Sequence, residues 1–261
     1  MYSKPLFIFT VIFSVACNNS ASSLKEKNTT NVAAITKNIE NPYKHINDIP
    51  LPEGYTRIAG ENNSFAAWLE NLQLKKNKTV YLFDGRVKTN QNSQFAVVDI
   101  SIGDKDLQQC ADAVMRLRAE YLFSGNRFDE ISFSDNANTA YHFHQPYTKE
   151  NLLKYLTGVF GMCGTSSLAK QLKQVNIEDI HAGDVLIRGG FPGHAIIVVD
   201  IAQNKAGKKI YLLAQSATPA QDVHVIVNPA NPDLSPWYEV NDEKFIRTPE
   251  YIFLSTEFKE W

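Results

Sequence analysis

The chain has 261 residues, 44% of them hydrophobic and 21% charged, enough for a full buried core in one large or two small domains. A formal net charge of −2 with no long basic run excludes the electrostatic footprint of a nucleic-acid binder and a polybasic membrane patch. No nucleic-acid partner and no cofactor are expected.

The chain opens with "MYSKPLFIFTVIFSVAC", in which Lys4 precedes an apolar run from Leu6 to Ala16. That run is too short to span a bilayer and has the length of a signal-peptide core. Its end, Ser-Val-Ala-Cys, resembles the lipobox of bacterial lipoproteins, although Ser14 stands where those signals usually carry Leu. The resemblance implies lipidation at Cys17 and attachment to a membrane through an N-terminal lipid, on the outer-membrane or periplasmic face of the envelope. An ordinary secretory signal, and hence a secreted protein, is the alternative. Residues 1–17 are therefore expected to be a signal segment. The polar stretch rich in Ser, Asn, Thr and Lys over 18–41 is expected to be a tether that cannot bury enough surface to fold. A single folded domain is expected over 42–261, with its core over 104–228.

"NSFAAWLENLQL" reads as a short helix capped by Asn63 or Ser64. "TVYLFDG" and "SQFAVVDISIG" read as strands, being β-branched and aromatic runs bounded by Gly or Asn. "LQQCADAVMRLRAEYL" reads as an amphipathic helix, with Ala113, Val114, Leu117 and Tyr121 on one face with Cys110. Asp104 or Asp106 would cap it or lie just ahead of it, and Asp112, Arg116 and Glu120 would form an i, i+4 charge ladder. Two extended segments follow, "RFDEISFSD" and "TAYHFHQP", then two helices broken at Gly161–Gly164. From "GDVLIRGG" onward the texture is β, through "GHAIIVVDIA", "KKIYLLAQSA" and "DVHVIVN" to "YIFLSTEF". Helices first and an antiparallel sheet afterwards predict an α+β domain with an N-terminal sub-region.

If Cys17 carries lipid, Cys110 and Cys163 remain for the folded part. A cysteine in the first turn of a helix faces unpaired N–H groups and the positive end of the dipole, and both favour the thiolate. A base must then take and return a proton, and His194 is the best placed of six histidines, at the mouth of an apolar strand after Gly-Gly-Phe-Pro-Gly. If the loop around Asn204 to Gly207 closes a hairpin, the residue facing His194 lies between Gln215 and Ala217. Gln215 is the first candidate to orient the imidazole and Ser216 the second. Gln108 and Gln109 could supply an oxyanion-stabilising amide, and Gln109, Ser216, Gln221, Asp222 and His224 could contact substrate. Four other readings stay open. Cys110 and Cys163 could form a disulfide in an oxidising compartment, or Cys163 could be the nucleophile. His142 and His144 could hold zinc with another histidine, although no metal is expected. Trp237 and Tyr238 of "SPWYEV" could be core or cleft wall.

The order of a helix-start Cys, "GD-V-I" and "GH-A-I-V" strands and a polar residue on the next strand resembles the papain-like superfamily, in particular NlpC-type and CHAP-type cell-wall amidases and endopeptidases. That resemblance implies a papain-like fold of helix plus antiparallel sheet, with Cys110 as nucleophile, His194 as base and Gln215 as orienter. It also implies a cell-envelope peptide or glycopeptide substrate. A non-catalytic peptide- or glycan-binding lipoprotein on the same scaffold is the alternative. Ala111 stands where NlpC-type enzymes have a small polar residue, and Gln215 is neutral where CHAP enzymes commonly have a carboxylate. Over nearly the whole mature domain the chain is similar to the domain of unknown function 4846 of bacterial lipoproteins. The carrying segments are "DISIGDKDLQQCADAVMRLRAEYLF", "GGFPGHAIIVVDIA", "LLAQSATPAQDVHV" and "SPWY".

Overall fold

A computed structural model describes residues 40–261, so the signal segment, Cys17 and nearly all of the expected tether lie outside the described residues. At residue 40, Glu40 bridges to Asn77, and the buried Asn41 amide donates to the carbonyls of Tyr43 and Lys75.

Four α-helices are present among the described residues: α1 (Phe65–Glu70), α2 (Cys110–Ser124), α3 (Lys149–Met162) and α4 (Thr165–Gln171). Six strands precede the longest one: β1 (Tyr55–Arg57), β2 (Gln94–Val97), β3 (Ser132–Ser134), β4 (Ala140–His142), β5 (Lys173–Gln174) and β6 (Val185–Arg188). Then come β7 (His194–Asn204), β8 (Lys209–Gln215), β9 (His224–Ile226) and β10 (Tyr238–Glu239). The chain ends with β11 (Phe245–Arg247), β12 (Ile252–Leu254) and β13 (Phe258–Glu260). Nine strands form one antiparallel sheet in the order β2-β9-β8-β7-β6-β13-β5, with β1 also on β7 and β10 on β8. The pairs β3–β4 and β11–β12 stand as separate hairpins.

The central strand explains itself. In β7 Ala195, Ile197 and Val199 join the apolar cluster under the helices, while Ile196 and Val198 join a second cluster on the opposite face. Both faces of the sheet are covered, hence the unbroken apolar run. The register shifts between Val198 and Asp200, a bulge that inserts one residue and turns the strand's faces over. Ile201 thus points to the second cluster and Ala202 to the first. The helix face of the sheet carries α2 residues such as Ala113, Val114 and Leu117, and the other face carries Ile246 and Phe253 of the β11–β12 hairpin.

This architecture corrects the expected fold class. The domain is not a papain-like helix with a sheet after it, nor an α+β chain with a separate helical first part. It is mostly one large antiparallel sheet with four short helices, and strands from both ends of the chain enter that sheet. The early strands β1 and β2 pair with β7 and β9, and the last strand pairs with β6. These edge segments are two to four residues long and partly polar, too short to register a two-residue period. "TVYLFDG" illustrates the same limit, contributing only isolated bridges, Tyr81 with Val87 and Leu82 with Gln221. No helix among the described residues is long and apolar enough to cross a membrane.

Candidate functional site

Cys110 is the first residue of α2, behind Gln109 as N-cap. The cap is built by Asp112, whose Oδ2 accepts the Gln109 N–H at 3.0 Å. Asp106 works one step earlier, accepting from the Gln109 side chain at 3.0 Å and from the Ala220 N–H at 2.7 Å. Arg116 does pair with Glu120 at 3.0 Å, but Asp112 is not part of that ladder. Its other oxygen, Oδ1, is buried without a partner. Burial pushes the Asp112 pKa up to about 7, against the pull of the Gln109 N–H.

The helix start is not the only influence on the Cys110 thiol. Burial pushes the thiol up from its ordinary value; the N–H groups of Ala195 and Ala111 favour the thiolate, and the Asp112 charge opposes it. Burial outweighs the helix terminus, because a buried thiolate loses water that a few N–H groups only partly replace. Burial likewise pushes His194 down, while Gln215 and Glu250 pull the other way. Burial thus shifts Cys110 and His194, which line the same cleft, each toward its neutral form.

His194 opens β7 and is 8% exposed. The glycine before it is required: a Cβ on Gly193 would lie 2.4 Å from the Gly190 carbonyl oxygen and 2.8 Å from that of Arg188. Ile197 pairs with Ala214, so Gln215 sits one step beyond the ladder and diagonal to His194, within reach of a long side chain. Gln215 Oε1 lies 2.9 Å from His194 Nε2. The amide's other end, Nε2, donates to Glu250 Oε2 at 3.0 Å and lies 3.5 Å from Nε2 of His224, the residue directly across on β9. His224 Nδ1 donates to the Asp222 carbonyl at 2.8 Å, so its Nε2 is the accepting nitrogen. Glu250 Oε1 accepts from Lys88 at 2.7 Å and from Asn90 at 3.1 Å. Burial raises the Glu250 pKa, but the Lys88 and Asn90 bonds outweigh it and hold the carboxyl ionised. Sequence reasoning missed Glu250 and Lys88, since neither lies in a motif.

Cys110 and His194 line one cleft of about 440 Å³, together with Lys88, Gln221, Glu250 and Tyr251. A second cleft of about 480 Å³ shares Cys110, Gly193 and Thr218 with the first and continues past Asp112, Cys163 and Phe191. The thiol stands where the two meet. Phe191 is fully exposed at the tip of the loop between β6 and β7.

The other expected residues are distributed unevenly. Gln109 lines the second cleft, but its amide is engaged by Thr218 and Asp106. The Gln108 carbonyl oxygen of the side chain accepts from Arg116, away from the thiol. Ser216 is buried and donates to the carbonyls of Gln108 and Gln221. Asp222 is buried and bonded to Lys75 at 2.7 Å and to the Tyr81 N–H at 2.9 Å. Ser216, Asp222 and His224 therefore do not line either cleft, whereas Gln221 does. Cys163 ends α3 instead of opening a helix, and both buried cysteines are free. Trp237 and Tyr238 are core. Among the described residues no group of three or more His, Cys, Asp or Glu could hold a metal, and His142 and His144 stand as an exposed pair.

Comparison with curated proteins and with solved structures gives no match. A family model described as the domain of unknown function 4846 matches residues 46–146 and 134–260, and the chain belongs to that family.

Proposed function

We propose that this protein is a cysteine-dependent hydrolase of peptide or amide bonds, anchored to the cell envelope by a lipid on Cys17 and acting on envelope peptides or glycopeptides. The reading is carried by one observation: Cys110 and an imidazole oriented by Gln215 at 2.9 Å line the same cleft. The cleft's continuation on the far side of the thiol suits a chain bound across Cys110.

In this scheme Cys110 Sγ attacks the carbonyl carbon as its proton passes to His194 Nδ1. Negative charge gathers on the carbonyl oxygen, where the Cys110 N–H is available because first-turn N–H groups have no helical partner. The C–N bond then breaks, and the imidazolium returns the proton to the leaving amine. Water next attacks the thioester carbon and gives a proton to His194. The C–S bond breaks, the acid departs and the thiol is restored. Proton transfer coupled to attack suits a thiol and an imidazole that burial shifts toward their neutral forms.

The test is release of new amino groups from peptides and from cell-wall stem peptides. Wild type and Cys163→Ala should both cleave, and Cys110→Ala should not. The raised Cys110 pKa favours a second reading, a non-catalytic peptide or glycan binder. Binding of such fragments equal in wild type and Cys110→Ala, with turnover in neither, would decide for the binder. The anchor is tested separately, by incorporation of a labelled fatty acid into wild type but not Cys17→Ser.

A further inference from the structure

We propose that Glu250 is a positioning residue for His194: through the Gln215 amide its carboxylate selects the imidazole tautomer whose Nδ1 carries no proton. The proposal rests on the Cys110–His194 reading of the site, but the tautomer is a property of His194 that exists with or without turnover.

An amide side chain has two ends of nearly equal shape, so its neighbours decide which way it faces. With the carbonyl toward His194, Gln215 accepts the Nε2–H at 2.9 Å and its amino group meets two acceptors, Glu250 Oε2 at 3.0 Å and His224 Nε2 at 3.5 Å. Turned over, its oxygen would face a carboxylate oxygen and an imidazole lone pair. The carboxylate cannot adjust to that arrangement, because Lys88 and Asn90 already occupy its Oε1. Lys88 is itself buried and held by Ser93, so this cation has one place to be. The groups around the imidazole that carry or take charge include Cys110 from the start of α2, Lys88 on the cleft wall, Arg188 across from His194 on β6, Tyr251 from the β11–β12 turn, and Glu250 and His224 behind the amide. Of these, Glu250 is the only one among the described residues joined by a direct hydrogen bond to Gln215 and to a buried cation.

Glu250→Gln makes a specific consequence. Lys88 only donates, and Asn90, whose Oδ1 already accepts the Asn92 N–H, turns its amino group to the same place, so they would hold the new oxygen and turn the new amino group toward Gln215. Gln215 would then present its oxygen to that amino group and its own NH₂ to His194. His194 Nε2 would have to accept, and the proton would move to Nδ1, the atom that must be bare for the base to act.

The experiment reads the imidazole nitrogen chemical shifts of His194 in isotope-labelled protein purified from cells expressing the full chain. Wild type should hold the Nε2–H tautomer. Glu250→Gln should shift population to Nδ1–H and slow iodoacetamide alkylation of Cys110 near neutral pH by about tenfold or more, as expected when a reacting group is misplaced. Glu250→Asp, a conservative change on an exposed turn, should keep the wild-type tautomer at least in part. His194 shifts in Glu250→Gln identical to wild type would overturn the proposal. A tautomer that responds to Glu250 in a protein that cleaves no peptide would support it and remove the hydrolase reading instead.

Discussion

The imidazole of His194 packs on Tyr251, ring centroids 5.2 Å apart and planes inclined by 44°. The Tyr251 hydroxyl donates to the Pro192 carbonyl at 3.2 Å, so one side chain both covers the ring and fastens the loop that leads into it. Phe253 flanks the same imidazole at 5.9 Å. Aromatic pairs contribute about 1 kcal/mol beyond their buried area. Tyr251→Ala should therefore lower stability by about 1–2 kcal/mol, and Tyr251→Phe by well under 1. Urea denaturation checks this. Equal losses in both variants would mean that the hydroxyl, not the ring, is what matters.

The contrast between His194 and Glu250 explains which parts of the site could be read from the chain. Cys110, His194 and Gln215 each carry a local signature: the first residue of an amphipathic helix, the residue after an obligatory glycine, and the far end of a hairpin closed near Asn204 to Gly207. The hairpin bounds Gln215 to within a residue or two of His194, although the bulge at Val199 leaves no mark in a strand apolar on both faces. Glu250 and Lys88 have no such signature. They stand 162 positions apart and meet because Phe253 packs beneath His194 and carries the β11–β12 turn with it. The fold class is not legible in the chain for a related reason. The strands that carry the sheet beyond its hairpin core are two to four residues long, and their pairing depends on partners more than a hundred residues away, as β1 on β7. Spacing alone assigns Asp112 to Arg116, whereas the competing demand of an unpaired N–H at the helix start takes its carboxylate.

Gly193 tests whether the loop before His194 tolerates any side chain. A methyl there would meet the Gly190 carbonyl oxygen at 2.4 Å, the Thr165 hydroxyl at 2.5 Å and the Arg188 carbonyl oxygen at 2.8 Å. Two of those three are backbone and cannot turn aside. Gly193→Ala should cost about 2 kcal/mol or more through overpacking and displace His194 from the cleft. Thermal unfolding and alkylation of Cys110 would both register it. A variant as stable and as reactive as wild type would require that the loop can open without cost.

His224 should leave a signature in the pH dependence of stability. It is fully buried, and burial pushes its pKa down to about 4 from the ordinary 6.5. Below 6.5 the unfolded chain binds a proton that the fold refuses, so this contribution is complete above that pH and is lost as pH falls toward about 4. The full loss is about 3 kcal/mol. Other titrating groups cancel when wild type is compared with His224→Gln across the same range. The stability difference between the two should move against wild type by that amount as pH drops, followed by urea denaturation. A difference that stays constant would mean that His224 is protonated inside the fold, with Gln215 turned to meet it.

Asp112 gives the opposite sign and ties stability to chemistry. Its carboxyl is pushed from the ordinary 3.8 up to about 7, first by burial, and its Oδ1 has no partner. The folded chain keeps a proton that the unfolded chain has already released, so the stabilisation is whole below 3.8 and disappears as pH rises to about 7. Asp112→Asn retains an oxygen for the Gln109 N–H and never ionises. The variant should gain on wild type across that window, by up to about 4 kcal/mol at the alkaline end. The same charge opposes ionisation of both Cys110 and Cys163. Removing it should therefore lower the thiol pKa of Cys110 and speed its alkylation at mildly alkaline pH, while leaving the rate at low pH unchanged. A more stable variant with an unaltered alkylation profile would separate the two effects. Asp112 would then act on the helix cap alone, and the second cleft would lose its influence on the thiol.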